Sequence, residues 1–417
     1  MIGLLGMVVI LGLAWALSID RRRALNPRII AWGLGLPILM AVVTLRTAVG
    51  ARFFIAANDT ADAFIGFANK GISLVFGSWT ETGSFSGTTP DGHGFTVTTG
   101  FIFAVQVLPI IIFMASLMAV LYHLGLMQRV VAVLARIMSR LMHISGAEAL
   151  STVGDIFLGM TEAPLLIRPY VAKMTQSELF AVMTAGMATI AGSVLLAYKK
   201  MGIDAGYLVT ASFMNAPLAV LIAKIMVPEQ ETPETMGAVR LSVPRIDVNI
   251  FDAAARGASE GMQLALNVGA MLIAFVAIIY MVDGGVGAVG RLLHLSRPLR
   301  MADLLGYPLA PLAWVMGVPW KDSVTIGSLL GTKTVLNEFL AYQQLAVTPG
   351  LDARTIRIAS FGLCGFANFG SLAIVLGGLG GMVPERRPDL ARFGVRAIIA
   401  GSLATFLSGT IAGLVGG

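Results

Sequence analysis

Long apolar runs alternate with short polar or basic segments along almost the whole chain. Runs of membrane-crossing length are predicted at about 1–19, 29–45, 101–123, 179–198, 207–226, 262–281, 356–382 and 394–416. A bilayer core about 30 Å thick needs roughly 20 helical residues, and these runs approach or exceed that length. The pattern therefore predicts an all-α integral membrane protein with about eight transmembrane helices.

Two further stretches are apolar overall but carry charges in their middle. They are Ser145–Tyr170, which contains GDIFLGMTEAPLLIRPY, and Pro311–Ala346, which contains GVPWKDSVTIGSLLGTKTVLNEFLAYQQL. A limb of about 10 helical residues, at about 1.5 Å per residue, reaches only half-way across a bilayer. Each stretch is therefore predicted to form a re-entrant hairpin, whose non-helical tip must face a wet cavity or other protein.

The two halves of the chain repeat this order of elements. Each predicted hairpin is followed by an apolar run that small and polar residues interrupt: Ser193 comes 31 positions after Glu162, and Ser371 comes 33 positions after Glu338. Matching hairpins and discontinuous helices are typical of transporters built from an inverted repeat, which bind substrate near the bilayer midplane. The alternative is that the Gly and Ser clusters serve close helix packing alone.

The repeat divides the chain into three predicted parts. Residues 1–97 form N-terminal scaffold spans, an interfacial segment at about 52–77 and a polar, turn-rich loop at 78–97. Residues 98–250 form the first half-repeat, with hairpin 1 at about 145–170 and a broken helix at about 179–198. Residues 251–417 form the second half-repeat, with hairpin 2 at about 311–346 and a broken helix at about 356–382.

Composition supports a membrane protein and excludes several other classes. The 417 residues are 56% hydrophobic and 12% charged, with a mean hydropathy of +0.83, whereas about a quarter of a soluble domain is charged. The net charge of +6 comes from short basic clusters between apolar runs, so no nucleic-acid partner is expected. Cys364 is the one cysteine, which excludes an intrachain disulfide, and the histidines show no metal-ligand spacing.

The positions of the arginines predict the orientation of the chain. Arg21–Arg23 follow the first apolar run, which favours a first span with its N-terminus outside rather than a cleaved signal peptide. The loops 227–249, with Arg240 and Arg245, and 384–396 would then be cytoplasmic, and the C-terminus outside. The sequence thus predicts a multi-pass protein of the cell (inner) membrane.

The hairpins place carboxylates in apolar surroundings, where ionisable residues are usually functional because their burial is costly. Glu162 lies in hairpin 1 and Glu338 in hairpin 2, with Asp155 preceding Glu162 in the first hairpin. Lys321, Asp322 and Lys333 are predicted to form neutralising pairs in hairpin 2 and are given no substrate role.

At these residues the chain resembles the concentrative nucleoside transporter family. GMTEAPLLIRPY, ATIAGSVLLAY, GVPWKDSVTIGSLLGTK, NEFLAY and CGFANFGSLAI resemble its signatures in the same order, and the resemblance covers about residues 95–415. It implies eight spans, two re-entrant hairpins, a homotrimer and an elevator-like movement of a transport domain against a scaffold. It also implies cation-driven uptake of nucleosides, without a cofactor.

The resemblance also implies two sets of binding residues. The substrate set holds a base-facing hairpin tip, a ribose-facing group and an aromatic side chain against the sugar or base: Gly159, Met160, Thr161 and Glu162, then Glu338, Asn368 and Ser371, then Phe366. A carboxylate suits this task because it accepts charge-assisted hydrogen bonds from vicinal hydroxyls. The alternatives are that Phe366 faces lipid or core, and that Asn368 and Ser371 only satisfy freed backbone groups.

The implied cation site comprises Asp155, Leu158, Thr189 and Ile190, partly through main-chain carbonyls. The chain departs from the family pattern at two positions, with Met160 where Gln is usual and Asp155 where Asn is usual. Met160 predicts tolerance of varied bases, or a preference for a larger or more apolar ring. Asp155 predicts coupling to H⁺, slightly favoured over Na⁺, since burial favours the protonated carboxyl. A structural Asp155 that caps a helix or pairs with an arginine is the alternative.

The sequence therefore predicts a secondary active transporter that imports nucleosides by symport with H⁺ or Na⁺. A transporter of the same fold for a non-standard nucleoside, a nucleobase or a related small polar molecule is the main alternative. A membrane-embedded enzyme with Asp155 and Glu162 as an acid/base pair is remote, because no metal-ligand cluster, nucleophile–base motif or phosphate-cradling loop is present. An open channel is equally remote, since a pore needs no paired hairpins.

Overall fold

The N-terminal region of the computed structural model consists of three helices. The structure describes residues 2–80, 83–236, 247–292, 294 and 299–416. The first three helices are α1 (Ile2–Ala16), α2 (Pro27–Arg46) and α3 (Ala48–Phe76). The Asn26 side chain caps α2 by accepting from the Arg28 and Ile29 amides, and Thr47 caps α3, so the polar residues between apolar runs set these helix starts.

The predicted loop at 78–97 is wrong, because much of this segment forms a β-hairpin. A 3₁₀ turn, Gly77–Thr80, precedes the antiparallel strands β1 (Gly83–Thr88) and β2 (Gly94–Thr99), with Gly83 opposite Thr99. The turn contains the sequence TPDGH, in which Gly92 adopts a φ of +82°. The Pro-Asp-Gly sequence between two Thr-containing segments is typical of a turn between strands, but the polar composition of the segment favoured a loop.

The first half of the repeat contains hairpin 1 and the first broken helix. Its elements are α4 (Phe103–Gln106), α5 (Leu108–His123), α6 (Leu126–Met142), α7 (Gly146–Gly154), a 3₁₀ turn (Ala163–Ile167), α8 (Arg168–Val171), α9 (Gln176–Ala188), α10 (Gly192–Lys200) and α11 (Ala205–Met226). Capping boxes at Ser145 and Thr175 start α7 and α9. The interruption predicted in the 179–198 run is present between α9 and α10.

The second half contains hairpin 2 and the second broken helix. Its elements are α12 (Ile250–Leu292), α13 (Met301–Val315), α14 (Trp320–Val335), α15 (Glu338–Val347), α16 (Ala353–Leu363), α17 (Phe369–Met382), a 3₁₀ turn (Pro384–Arg386) and α18 (Arg387–Val415). The predicted hairpin stretch begins within the last turns of α13, and its two limbs are α14 and α15. The interruption predicted in the 356–382 run is present between α16 and α17.

The helices separate into an inner group and an outer group. The apolar spans of α11 and α18 are 89% and 83% buried, whereas those of α2 and α12 are 22% and 11% buried. The long α12 approaches α5 closely, since a Cβ at Gly257 would lie 2.6 Å from the Ala119 Cβ. Such small-residue contacts are how helices associate in lipid. The inner helices position the candidate site.

The all-α membrane architecture predicted from the sequence is confirmed. Among the described residues, six helices are long and apolar enough to cross a bilayer, and α13 with α14, bent by 118°, would make a seventh. The count of eight, the re-entrant path of the hairpins and the three-part division remain predictions. Arg240 and Arg245, which support the predicted orientation, lie outside the described residues.

Candidate functional site

The carboxylate of Glu338 lies where hairpin 2 turns from one limb into the other. Asn337 is extended, with φ −163°, and its side chain accepts from the Leu340 amide at 2.9 Å, so it caps α15. Glu338 is the first residue of α15 and is 3% exposed. The N-terminus of a helix favours negative charge, and this position therefore supports the buried carboxylate.

Both oxygens of Glu338 accept a hydrogen bond from another part of the chain. The Tyr198 hydroxyl donates to Oε1 at 2.9 Å, and the Asn368 amide donates to Oε2 at 3.1 Å. Asn368 caps α17 with its Oδ1, which accepts from the Ser371 amide at 2.7 Å. The structure thus brings together the predicted ribose-facing residues Glu338, Asn368 and Ser371, with Phe366 in the preceding helix break and 9% exposed.

The breaks in the two helices contact each other directly. The Phe366 amide donates to the Thr189 carbonyl at 3.2 Å. Asn215 of α11 donates from Nδ2 to the Ala188 carbonyl at 2.9 Å and to the Cys364 carbonyl at 2.6 Å. These bonds satisfy carbonyls that a helix break leaves without intrahelical partners. The breaks therefore form one continuous unit between the two sets of predicted binding residues.

The tip of hairpin 1 packs against the first of these breaks. Gly159 has a φ of +98°, and a Cβ on it would lie 2.8 Å from the Ala191 Cβ, so only glycine fits there. The Gly192 amide donates to the Phe157 carbonyl at 3.1 Å. Thr161 lies against α17, since its Cγ2 is 3.4 Å from where a Cβ on Gly378 would be. Hairpin 1 thus contacts the helix that carries Ser371.

Met160 and Asp155 border the same glycine of α9. From a Cβ built on Gly186, the Met160 Cβ would be 2.8 Å away and the Asp155 Oδ1 3.9 Å away. Gly186 lies one turn before Thr189, which places Asp155 near the predicted cation residues. Asp155 and Thr189 are each 1% exposed. Leu158 and Ile190, at 8% and 1%, are buried as well.

Asp155 differs from Glu338 because its carboxylate has no hydrogen-bond partner within the described chain. Both oxygens are buried and unpaired, and the residue caps the C-terminus of α7 through its backbone amide, which donates to the Ser151 carbonyl. A helix C-terminus disfavours negative charge, and an unpaired buried carboxylate is costly. The alternative of an arginine-paired Asp155 is therefore wrong for the described residues. A bound cation or a proton would offset this cost.

Glu162 is exposed, unlike the carboxylates of Asp155 and Glu338. It lies within electrostatic reach of Glu260 and Arg256 of α12. Arg256 donates to Asp247 at 2.7 and 2.9 Å and to Glu260 at 2.8 Å. The hydrogen bonds from Arg256 lower the pKa of Asp247, which lies before α12, so this aspartate stays ionised. The hairpin 1 carboxylate thus faces a charged cluster on an outer helix.

The predicted ion pair of Lys333 is absent from the described residues, although Lys333 lies within electrostatic reach of Glu338. Its ammonium is fully buried and donates to the Gly362 carbonyl at 2.9 Å and to the Thr405 hydroxyl at 2.6 Å, with the Phe406 ring 5.5 Å away. Asp322 instead accepts from the Thr355 hydroxyl at 3.5 Å. Lys333 therefore joins hairpin 2 to α16 and α18 through neutral acceptors.

Sequence reasoning missed Tyr198 and Asn215. Both are polar side chains within apolar helices, and a buried tyrosine hydroxyl or amide needs a partner. That rule predicts a hydrogen bond for each residue, but it does not identify Glu338 or the two helix breaks as the acceptors.

Three family descriptions match consecutive parts of the chain. Residues 5–79 match "Na+ dependent nucleoside transporter N-terminus", residues 104–205 match "Nucleoside recognition", and residues 207–413 match "Na+ dependent nucleoside transporter C-terminus". The two half-repeats predicted from the sequence fall largely within the second and third of these matches.

Relatives and solved structures also match nearly the whole chain. The chain is 41% identical to an uncharacterized transporter, YutK, of Bacillus subtilis over 99% of this chain and 98% of the relative. It is 38% identical to the nucleoside permease NupC of Helicobacter pylori, over 98% and 96%. It resembles the structure of CNTnw in an inward-facing substrate-bound state, with a TM-score of 0.89 and 42% identity over 99% of this chain and 97% of that one. A CNTnw variant in an outward-facing state matches with a TM-score of 0.88.

Proposed function

This chain belongs to the concentrative nucleoside transporter family, and from that premise we propose that it imports nucleosides by symport with a cation. The observation that carries the proposal is the buried Glu338, which faces hydrogen-bond donors on two broken helices. A ribose offers vicinal hydroxyls to such a carboxylate. The transporter class follows from the family, and no step of bond chemistry is required.

The proposed substrate site combines the tip of hairpin 1 with the group around Glu338. Thr161 and Glu162 read polar atoms of the base, Phe366 packs against the sugar or base, and Glu338 with Asn368 and Ser371 binds the ribose. The contact of Thr161 with α17 supports this arrangement, since α17 begins with the ribose-facing residues.

Asp155 is proposed to bind the coupling ion, which is a proton, with Na⁺ as the alternative. The support is physical: the carboxylate is buried and unpaired at a helix C-terminus, so a proton removes the charge that this site disfavours. Na⁺ would instead use the charge together with carbonyls of Leu158, Thr189 and Ile190. The two possible coupling ions at Asp155 are distinguished by measuring which ion gradient drives uptake.

An elevator-like movement and a homotrimer complete the proposal. CNTnw structures in inward-facing and outward-facing states support alternating access. The sparse burial of α12, 11% of its span, leaves an apolar outer surface for lipid or neighbouring subunits. Native mass spectrometry of the detergent-solubilised protein measures the subunit number, and a monomer would contradict the trimer.

Uptake into proteoliposomes tests the proposed function. A panel of radiolabelled nucleosides and nucleobases is offered with an inward pH gradient in Na⁺-free buffer, and separately with a Na⁺ gradient at constant pH. We expect accumulation of nucleosides above equilibrium with the pH gradient. Accumulation only with Na⁺ would reject the proton as coupling ion, and accumulation of nucleobases alone would reject ribose recognition by Glu338. No gradient-driven uptake of any compound would reject the symporter.

A further inference from the structure

The hydroxyl of Tyr198 reaches Glu338 from the second half of the first broken helix. Tyr198 lies near the end of α10, is fully buried, and donates to Glu338 Oε1 at 2.9 Å. Its ring packs against Phe339 and Tyr342, with centroids 4.6 and 4.8 Å away. Because two aromatic rings confine the tyrosine ring, the position of its hydroxyl is fixed by packing.

The hydrogen bonds to Glu338 leave acceptor capacity on both of its oxygens. An ionised carboxylate offers about four lone-pair positions. Tyr198 occupies one on Oε1 and Asn368 occupies one on Oε2. The backbone amide of Glu338 is a further donor to this carboxylate, so at least one of the four positions stays available to a sugar hydroxyl.

The terminal torsion of a glutamate has no sharp intrinsic preference. Rotation about this sp³–sp² bond is broad and roughly two-fold. The orientation of the Glu338 carboxylate is consequently set by its hydrogen-bond donors rather than by its own rotamer. With side-chain donors from two different helices on its two oxygens, the plane of the carboxylate is held from both sides. Removal of either donor would let the plane turn.

We propose that Tyr198 is a positioning residue for ribose, which fixes the orientation in which the Glu338 carboxylate meets the 2′- and 3′-hydroxyls. This inference rests on the proposed function, in which Glu338 binds the sugar. Tyr198 itself touches no substrate and acts only through Glu338. Its hydroxyl therefore contributes to discrimination between ribonucleosides and deoxynucleosides, while its ring contributes to packing.

The test uses Tyr198→Phe, which removes the hydroxyl and keeps the ring. Uptake of a ribonucleoside and of its 2′-deoxy and 3′-deoxy analogues is measured in proteoliposomes as kcat/KM. Loss of a hydrogen bond to a charged group costs about tenfold or more, so the wild type should transport each deoxy analogue about tenfold less efficiently. In Tyr198→Phe we expect this penalty to shrink at least about threefold, with a raised KM for the ribonucleoside and a nearly unchanged kcat.

Tyr342→Phe is the matched control. Tyr342 is a buried tyrosine of the same aromatic group, but its hydroxyl donates to the Ser360 carbonyl at 2.8 Å rather than to Glu338. We expect it to keep the wild-type discrimination. A monodisperse elution profile checks the folding of both variants, and 3-fluorotyrosine at position 198, which keeps the hydroxyl, should restore discrimination.

The outcomes separate the inference from the proposed function. If the wild type transports no nucleoside, the proposed function fails. If the wild type discriminates against deoxy analogues and Tyr198→Phe discriminates equally, only the positioning role fails. Equal loss of discrimination in Tyr198→Phe and Tyr342→Phe would also overturn it, because the effect would then come from packing of the aromatic group. Wild-type transport without discrimination would overturn it as well.

Discussion

Asp155 and Glu338 are two buried carboxylates in opposite halves of the chain, and they differ in their position on a helix and in their hydrogen-bond donors. Glu338 begins a helix and receives hydrogen bonds from Tyr198 and Asn368, whereas Asp155 ends a helix and receives none from the described residues. A carboxylate held by donors can accept further hydrogen bonds from hydroxyl groups. A buried carboxylate without donors is costly, and a proton or a bound cation would offset this cost.

The largest effect is expected for Glu338→Gln. The amide replaces one acceptor oxygen by a donor, which opposes the Asn368 amide or makes the Tyr198 hydroxyl reverse its hydrogen bond, and it removes the charge proposed to meet ribose hydroxyls. We expect nucleoside kcat/KM to fall about tenfold to a hundredfold, the equivalent of about 1.5–3 kcal/mol. Glu385→Gln, the same change at an exposed residue, is the control. Near-normal uptake by folded Glu338→Gln would remove Glu338 from the site.

Asp155→Asn should separate accumulation from binding. The amide cannot lose or gain a proton at neutral pH, so a pH gradient no longer drives uptake. A gradient of one pH unit supports about tenfold accumulation for one proton per substrate, and we expect this ratio to fall to about unity while exchange of labelled for unlabelled nucleoside persists. Asp91→Asn in the β-hairpin turn is the control. Unchanged ion dependence in Asp155→Asn would show that the unpaired carboxylate has no coupling role.

These two carboxylates also show what sequence reasoning can and cannot supply. The small-and-polar interruptions predicted both helix breaks, which the structure contains, whereas the re-entrant hairpins predicted from the charged residues within apolar stretches remain a prediction. The partners were not predictable, because Tyr198 and Glu338 are far apart in the chain and meet only when α10 packs on α15. The same limit explains the wrong pairing of Lys333, whose acceptors are a backbone carbonyl and a hydroxyl on other helices.

A smaller effect, on substrate discrimination, is expected for Met160→Gln, a residue that lies near Asp155. Met160 borders Gly186, as Asp155 does, and lacks a hydrogen-bond donor. An amide there should sharpen discrimination between purine and pyrimidine nucleosides by about 2- to 10-fold, since a neutral hydrogen bond is worth about 0.5–1.5 kcal/mol. Met160→Leu, which keeps the apolar volume, should leave discrimination unchanged. If the wild type already discriminates strongly and Met160→Gln does not alter it, this position does not read the base.

The smallest effect comes from a third carboxylate, exposed rather than buried. Asp352 caps α16, and the hydrogen bond from the Thr355 amide at 2.6 Å lowers the pKa of Asp352. Asp352→Ala should cost about 1 kcal/mol of unfolding free energy at neutral pH. Because the native pKa is lowered, this contribution is present above the unfolded-state pKa of about 3.9 and is lost as pH falls through the native value.

Thermal unfolding in detergent at neutral and acidic pH measures this contribution. Asp352→Asn keeps an acceptor for the Thr355 amide and should lose only a few tenths of a kcal/mol. If the difference in stability between wild type and Asp352→Ala increased on acidification, the assigned capping role would be contradicted. A hydrogen bond in water is thus expected to produce a modest effect, whereas the largest effect is expected at the buried Glu338.

The hydrogen bonds between the two helix breaks have a mechanical consequence. Any displacement that pulled the breaks apart would rupture the Phe366–Thr189 bond and at least one of the two bonds of Asn215, leaving buried backbone groups unsatisfied at about 1–3 kcal/mol each. A displacement that carries both breaks as a single block ruptures none of them. These bonds therefore hold the two helix breaks together as one unit, and the flexibility for any movement of this unit must come from the segments that connect it to its surroundings.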